Sequence, residues 1–467
     1  MTSANSSSSS EGSVEKWSIL VAIGLGTFMS ALDSSVVNAI LPVMRVSLNS
    51  DVAAIEWVVI AYLLTVSGLL LAFGRLGDLR GHKPVYSLGF IIFVISSALC
   101  GLAPNAGILV AFRALQAIGA AMLYANAPAI LTKTFPPQQR GQALGLQATM
   151  TYLGLTTGPS LGGWLADIFS WRAVFFINVP VGLLALFLVL RFIPSDRPKG
   201  NVEPFDITGA LIFSAGLVSL LLGLNQGANW GWTSPLLLVV LATALILLGI
   251  FVRVEIRNPF PMLDLGLFTR RIFTASVSSA VLNYICLYSV LFLMPFYLIQ
   301  GRGLTSSQAG LLLTAQPIVM AIAAPIFGSL SDRIGSRLPA VLGMLVLAVG
   351  LFLLSRLEPA SHWGSVSLAL AVAGLGTGMF VSPNNSALMG SAPANRQGIA
   401  SGMLAIGRNV GMALGIGMAG AILSTFSLPD SASSLFAAIR IGFMVASGVA
   451  VLAALVSAVR GNDHQNG

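Results

Sequence analysis

The sequence predicts an all-α polytopic membrane protein, and three observations predict it. Apolar windows about 20 residues long, enough to cross a bilayer core about 30 Å thick, follow one another along almost the whole chain. Charge is scarce: 9% of the 467 residues are Asp, Glu, Lys or Arg, against 56% hydrophobic, with a mean hydropathy of +0.88. Soluble domains carry about a quarter charged residues, so a two-domain cytosolic enzyme is excluded. The basic residues, finally, gather in alternate loops. The net charge of +8 therefore follows the rule that Lys and Arg stay on the cytoplasmic side, and calls for no nucleic acid.

Fourteen windows qualify, near 17–42, 53–73, 85–103, 105–131, 141–166, 172–192, 206–225, 235–254, 271–299, 307–330, 339–356, 364–388, 398–424 and 436–459. Before the first lies a Ser-rich stretch, residues 1–16, expected as a disordered cytoplasmic tail without a cleaved signal. Residues 460–467 form a second short tail. An even number of spans returns both ends to one side, and most of the 24 Lys and Arg, including Arg75, Arg80, Lys83, Lys133, Arg253, Arg270 and Arg337, fall on that side. Cys100 and Cys286 each sit in an apolar stretch, which leaves no disulfide framework and no Cys-based metal site.

The chain repeats itself. Gly74, Leu76, Asp78, Gly81 and Lys83, after the second span, return 254 residues later as Gly328, Leu330, Asp332, Gly335 and Arg337, after the tenth. The fifth-span glycines Gly141, Gly145, Gly154, Gly158 and Gly163 return 257 residues later as Gly398, Gly402, Gly411, Gly415 and Gly420. Two six-helix bundles follow, residues 17–192 and 271–459. Spans seven and eight are an inserted pair, within residues 193–270 together with polar, Pro-containing linkers.

Four motifs carry a family resemblance. They are Gly74-Arg75-Leu76-Gly77-Asp78-Leu79-Arg80-Gly81-His82-Lys83-Pro84, Leu32-Asp33-Ser34-Ser35-Val36-Val37-Asn38-Ala39-Ile40-Leu41-Pro42 in span one, Arg113-Ala114-Leu115-Gln116-Ala117-Ile118-Gly119 in span four, and Gly154-Leu155-Thr156-Thr157-Gly158-Pro159-Ser160-Leu161-Gly162-Gly163 in span five. Over almost its whole length the chain resembles the fourteen-span drug/proton antiporter family of the major facilitator superfamily. The resemblance implies a plasma-membrane exporter of lipophilic, often cationic, small molecules, with Gly74, Arg75, Asp78, Arg80 and Gly81 as a conformational-switch loop. It also implies that Gly154, Gly158, Pro159, Gly162 and Gly163 seal an outer leak pathway. Some relatives place a second carboxylate in the C-terminal spans; this sequence has none there.

The residues themselves point to a proton site. Of the 16 acids fifteen sit in tails, loops or span ends, and only Asp33 lies well inside a hydrocarbon-spanning segment, where an ionisable group is costly and functional by default. His82, His362 and His464 fall in loops or the tail, which removes the usual alternative carrier. At a helical rise of about 1.5 Å per residue, Asp33 lies about 13 Å and Arg113 about 12 Å below the outer surface, so the two can meet. Burial and the arginine then act on Asp33 in opposite senses, and its titration responds to movement between spans one and four. The alternative is a permanent ion pair that only locks two helices together.

Asp78 can cap a helix N-terminus while Arg75 and Arg80 pair across the bundle interface; the plainer role of these charges is to fix topology. Gly154, Gly158, Gly162 and Gly163 bare one face of span five for close packing, and Pro159 bends that helix. Asn38, Tyr62, Gln116, Asn283, Tyr284, Gln316 and Asn385, with Met294 as an adaptable wall, are candidate cavity residues. Arg408 is open between contact with an anionic group and a structural role. No nucleotide loop, metal cluster or nucleophile–base pair stands out, so neither enzymatic chemistry, nor a cofactor, nor a metal is expected. A symporter, an exporter of one metabolite or lipid, and a non-transporting scaffold are the alternatives; a monomer in lipid exchanging cargo for protons is the expectation.

Overall fold

The structure, a computed structural model, describes residues 5–196, 203–231, 233–426 and 432–460. Arg197, Lys199 and His464 lie outside the described residues. Among the described residues every regular element is a helix. Seven helices form a first bundle: α1 (Asn5–Ser47), α2 (Val52–Arg80), α3 (His82–Gly101), α4 (Ala106–Thr134), α5 (Arg140–Ile168), α6 (Ala173–Phe176) and α7 (Asn178–Phe192). Next comes the pair α8 (Ile207–Trp230) and α9 (Pro235–Arg257). A second bundle holds α10 (Arg271–Pro295), α11 (Ser306–Leu313), α12 (Ala315–Ile334), α13 (Arg337–Ser355), α14 (Trp363–Ser391), α15 (Gln397–Phe426) and α16 (Ala432–Ala458).

The helices begin where polar residues interrupt the apolar windows, because those residues satisfy the free N–H groups of a first turn. Asp51 caps α2 through Ala54 N (2.6 Å), Asn105 caps α4 through Ile108 N (2.9 Å), and Asp206 caps α8 through Gly209 N (2.8 Å). Gly81 (φ 94°) and Gly335 (φ 85°), one repeat apart, end α2 and α12 in the left-handed region that favours glycine. Helix α1 starts twelve residues earlier than the window at 17, so residues 5–16, expected as a disordered tail, are helical. The sixth window is split at Ile177, and the tenth at Thr314. After Pro295 the ninth passes into a π-helical turn, Phe296–Gly301.

Among the described residues, thirteen helices are long and apolar enough to cross a membrane. The one window left over, the fifth, is α5: it is long enough but its Thr, Gln and Gly residues keep it out of that set; it packs against α1 and against α12 of the other bundle. The repeat is visible in the packing. Helix α1 lies on α5 and α7 as α10 lies on α15 and α16, and α2 and α3 lie on α4 as α12 and α13 lie on α14. The α8–α9 pair leans on α2 and α15 through α8, while α9 exposes Leu236, Leu238, Val239, Leu245 and Ile246, a surface suited to lipid. Both described ends lie on one face, where Lys16 donates to Gln139 (2.8 Å) and Arg460 to Ser336 (3.2 Å).

Candidate functional site

Asp33 on α1 and Arg113 on α4 do meet. Each is 1% exposed, and Arg113 Nη1 donates to Asp33 Oδ2 at 2.6 Å. Gln116, one helical turn after Arg113 and so on the same face, donates to Asp33 Oδ1 (3.1 Å) and accepts from Arg113 Nη1 (2.7 Å). Asn178, the first residue of α7, donates a third bond to Asp33 Oδ1 (2.8 Å). The same Asn178 amide reaches Ser97 Oγ (3.0 Å), whose hydroxyl donates to the Phe175 carbonyl (2.9 Å). From α2, the Tyr62 ring lies 4.0 Å from the guanidinium carbon and the Val58 carbonyl accepts from Arg113 Nε (3.4 Å). The carboxylate is thus held by α4 and α7, and its partner by α2. Removing one member of such a pair leaves an uncompensated charge, at a cost of about 3–5 kcal/mol.

On the face carrying the described ends, two carboxylates occupy equivalent positions in the two bundles. Asp78, near the end of α2, accepts from Gly398 N (2.8 Å) and Ile399 N (3.1 Å), the first turn of α15. Asp332, near the end of α12, accepts from Gly141 N (2.8 Å) and Gln142 N (3.0 Å), the first turn of α5. Each acid therefore sits on the positive end of a helix from the opposite bundle. Contact is that close because glycines meet there: a Cβ on Gly74 would strike the Gly398 carbonyl, and one on Gly328 the Gly141 carbonyl. The segment read as a loop is helical through Arg80, leaving only Gly81 outside.

His82, read as a loop histidine, is buried at the start of α3; its Nδ1 is 2.7 Å from Asn126 Oδ1 and its Nε2 3.5 Å from Asp78. Arg75 pairs with Glu203 of the linker, which also lies 3.7 Å from Arg396 of the second bundle. Arg80 is exposed. Earlier in the same linker, Asp196 accepts from His82 N (2.9 Å) and Lys83 N (3.1 Å), with Lys133 Nζ at 3.5 Å. Burial opposes its ionisation, but those amides and the neighbouring positive groups outweigh it and hold its carboxyl below the usual aspartate value.

Helix α5 presents Gly154, Gly158 and Gly162 to α1, against Phe28 to Leu32, Ser35 and Val36, the stretch that carries Asp33. Gly163 points into open space, a correction to the four-glycine face, and Pro159 is exposed. The expected cavity residues divide. Tyr62 and Gln116 belong to the ion-pair network; Asn38 is exposed and bonds to the Ser34 carbonyl (3.2 Å); Met294 is buried in the apolar core of the second bundle. Asn283 is fully buried, with both amide atoms lacking a hydrogen-bond partner among the described residues, and Gln316 is buried with its Nε2 likewise unpartnered. Asn385, Tyr284 and Arg408 are half-buried. Arg408 lies 4.7 Å from the Tyr124 ring and donates to Asn409 Oδ1 (3.4 Å), while Asn409 reaches across to Ser67 of α2 (2.7 Å). Asn178, Tyr124 and Tyr288 had no distinguishing signal in the sequence.

Two repeated bundles with a buried ion pair and apolar outer faces define a multi-span membrane transporter. The profile described as Major Facilitator Superfamily matches residues 23–269 and 276–466. The chain is 36% identical over 401 residues to "Riboflavin transporter RibZ" of Clostridioides difficile (strain 630), covering 86% of this chain and 87% of that protein. It is 33% identical over 408 residues to "Multidrug resistance protein Stp" of Mycobacterium tuberculosis (strain ATCC 25618 / H37Rv), covering 87% of this chain and 76% of that one. In fold it is similar to the crystal structure of the human organic anion transporter MFSD10, with a TM-score of 0.68, 16% identity and coverage of 95% and 99%. The chain belongs to the major facilitator superfamily and is a membrane-embedded transporter.

Proposed function

We propose that the chain is a proton-coupled antiporter of the fourteen-span drug-export type, working by alternating access in the plasma membrane as a monomer. In this reading α5 is the fourteenth span and the face with both chain ends is cytoplasmic, as the gathering of basic residues there supports. Cargo is a lipophilic small molecule, drugs and toxic cations included. The observation that carries the proposal is the buried Asp33, among the described residues the only acid away from the ends of the membrane-spanning helices, whose three hydrogen-bond donors come from two other helices. Any shift of α1 against α4 and α7 changes that donor set, so proton binding at Asp33 depends on conformation, which is what coupling requires. The bare face of α5 lets α1 make such a shift.

One proton exchanged per monovalent cation is electroneutral, driven by about 1.4 kcal/mol per pH unit and indifferent to voltage. In proteoliposomes with an imposed pH gradient, the wild type should export a monocationic dye uphill and ignore a potassium–valinomycin potential. Asp33→Asn should keep dye binding and lose uphill export; an amide variant that pumps at the wild-type rate refutes the proposal. The similarity to a riboflavin transporter favours a second reading, transport of one dedicated metabolite. Export of riboflavin with no export of structurally unrelated dyes would select it.

A further inference from the structure

We propose that Arg408 and the tyrosines around it form a binding pole for the acidic or hydrogen-bond-accepting end of a planar aromatic cargo. The inference rests on the reading of the chain as an exporter and goes to what it recognises.

Arg408 stands in the middle of α15 with no carboxylate within ion-pair distance among the described residues, whereas Arg113, in the middle of α4, has Asp33. Among the described residues its one polar side-chain contact is the long bond to Asn409, whose amide is already committed to Ser67. A guanidinium so placed is costly in a membrane interior, and such groups face cargo pathways or partners. What surrounds it is aromatic. Tyr124 of the first bundle stacks under it at 4.7 Å, and Tyr284 and Tyr288, one turn apart on α10 of the second, lie within its electrostatic reach together with Tyr62. Tyr62 in turn stacks under Arg113, so aromatic surface extends from the Asp33–Arg113 pair to Arg408. Arg408, Tyr124, Tyr284 and Tyr288 each keep some exposed surface, and both bundles supply them, so they border the space between the bundles.

The backbone fixes this arrangement. Gly411, one turn after Arg408, lets α15 lie directly on α10, where a Cβ would come within 2.7 Å of Tyr284 Cβ. That holds a tyrosine beside the guanidinium. Arginine presents a planar fork of donors that matches a carboxylate, phenolate, sulfonate or paired carbonyls, and tyrosine faces hold a flat ring at little entropic cost. A cation is repelled at this end. Discrimination therefore runs along the cavity: acceptor groups at Arg408, the protonatable carboxyl at the far end, aromatic rings between.

The test is equilibrium binding by fluorescence anisotropy to purified protein in detergent, with fluorescein as the anionic probe, riboflavin as the neutral acceptor-bearing probe and ethidium as the cation. Fluorescein affinity should fall at least tenfold in Arg408→Ala and recover in part in Arg408→Lys, riboflavin should fall less, and ethidium should hold or tighten. Arg408→Gln, which keeps a polar side chain, carries the measurement if the alanine variant does not fold. Fluorescein bound equally by wild type and Arg408→Gln, or fluorescein and ethidium weakened alike, overturns the inference. Uphill export unaffected by Asp33→Asn refutes the antiport reading while leaving the Arg408 result standing, so the two fail separately.

Discussion

Replacing Asp78 by Asn should open the face that carries the chain ends. Asp78 accepts two backbone bonds from the start of α15, from Gly398 N and Ile399 N. Hydrogen bonds to a charged group contribute about 1.5–3 kcal/mol each, and the charge at a helix N-terminus about 0.3–1 kcal/mol more. Asparagine keeps the shape and one acceptor oxygen but turns a donor toward the second amide, so about 2–4 kcal/mol of the contact between bundles is lost. At about 1.4 kcal/mol per tenfold, the closed-to-open ratio falls by about thirty- to several-hundred-fold. Spin labels at the exposed Gln138 and Asn395, just before α5 and α15, report this as a longer, broader distance distribution in a double electron–electron resonance experiment. Cys100 and Cys286 are both buried and are first replaced by alanine. Asp332→Asn, the mirror change, should give a shift of similar size. A distribution in Asp78→Asn that matches the parent refutes the assignment of the acid as a lock.

Two more perturbations separate packing from position. Gly158→Ala, whose Cβ would meet Ser35 and Val36, should destabilise by about 1–3 kcal/mol, whereas Gly163→Ala, with nothing within 4 Å, should be neutral or stabilising; melting curves read by size-exclusion chromatography with equal losses at the two sites would contradict the α1–α5 contact. Asp196→Asn should cost about 1 kcal/mol at pH 7, because the amide removes the negative charge at the start of α3 and one of the two oxygens that accept from His82 N and Lys83 N. Because the native carboxyl is held below its ordinary value of about 3.9, this contribution is complete above that pH and disappears as pH falls through the native value. The stability gap between variant and parent should therefore close as pH falls below the ordinary aspartate value, and a gap that widens with acid would reverse the sign argued for Asp196.

The helices, the repeat and the ion pair were legible in the sequence because each rests on a local signal: window length, residues in phase at 254, and one acid among apolar neighbours. Asp33 and Arg113 could be paired from helical rise alone. Asn178 could not, since an asparagine at the head of an apolar span looks like any helix start, and only the fold of α7 onto α1 and α3 brings it to the carboxylate. His82 looked like a loop residue because the motif around it is polar, yet α3 begins on it and buries it against Asn126. Gly162 and Gly163 are adjacent in sequence and about 100° apart around α5, so just one of them faces α1. Glu203, set between Arg75 and Arg396, joins residues whose distance in sequence carries no hint of contact.

The exchanged caps have a consequence for how such a chain is assembled. Each half-molecule supplies one acid and one uncapped helix start, Asp78 with Gly141 in the first and Asp332 with Gly398 in the second. In these contacts each half is self-complementary: two copies of either one, related by a twofold axis, would satisfy both pairs. The covalent join between the halves is thus dispensable to this part of the interface, and what the single chain adds is freedom for the two sides to diverge, Asp33 and Arg113 in one and Arg408 in the other.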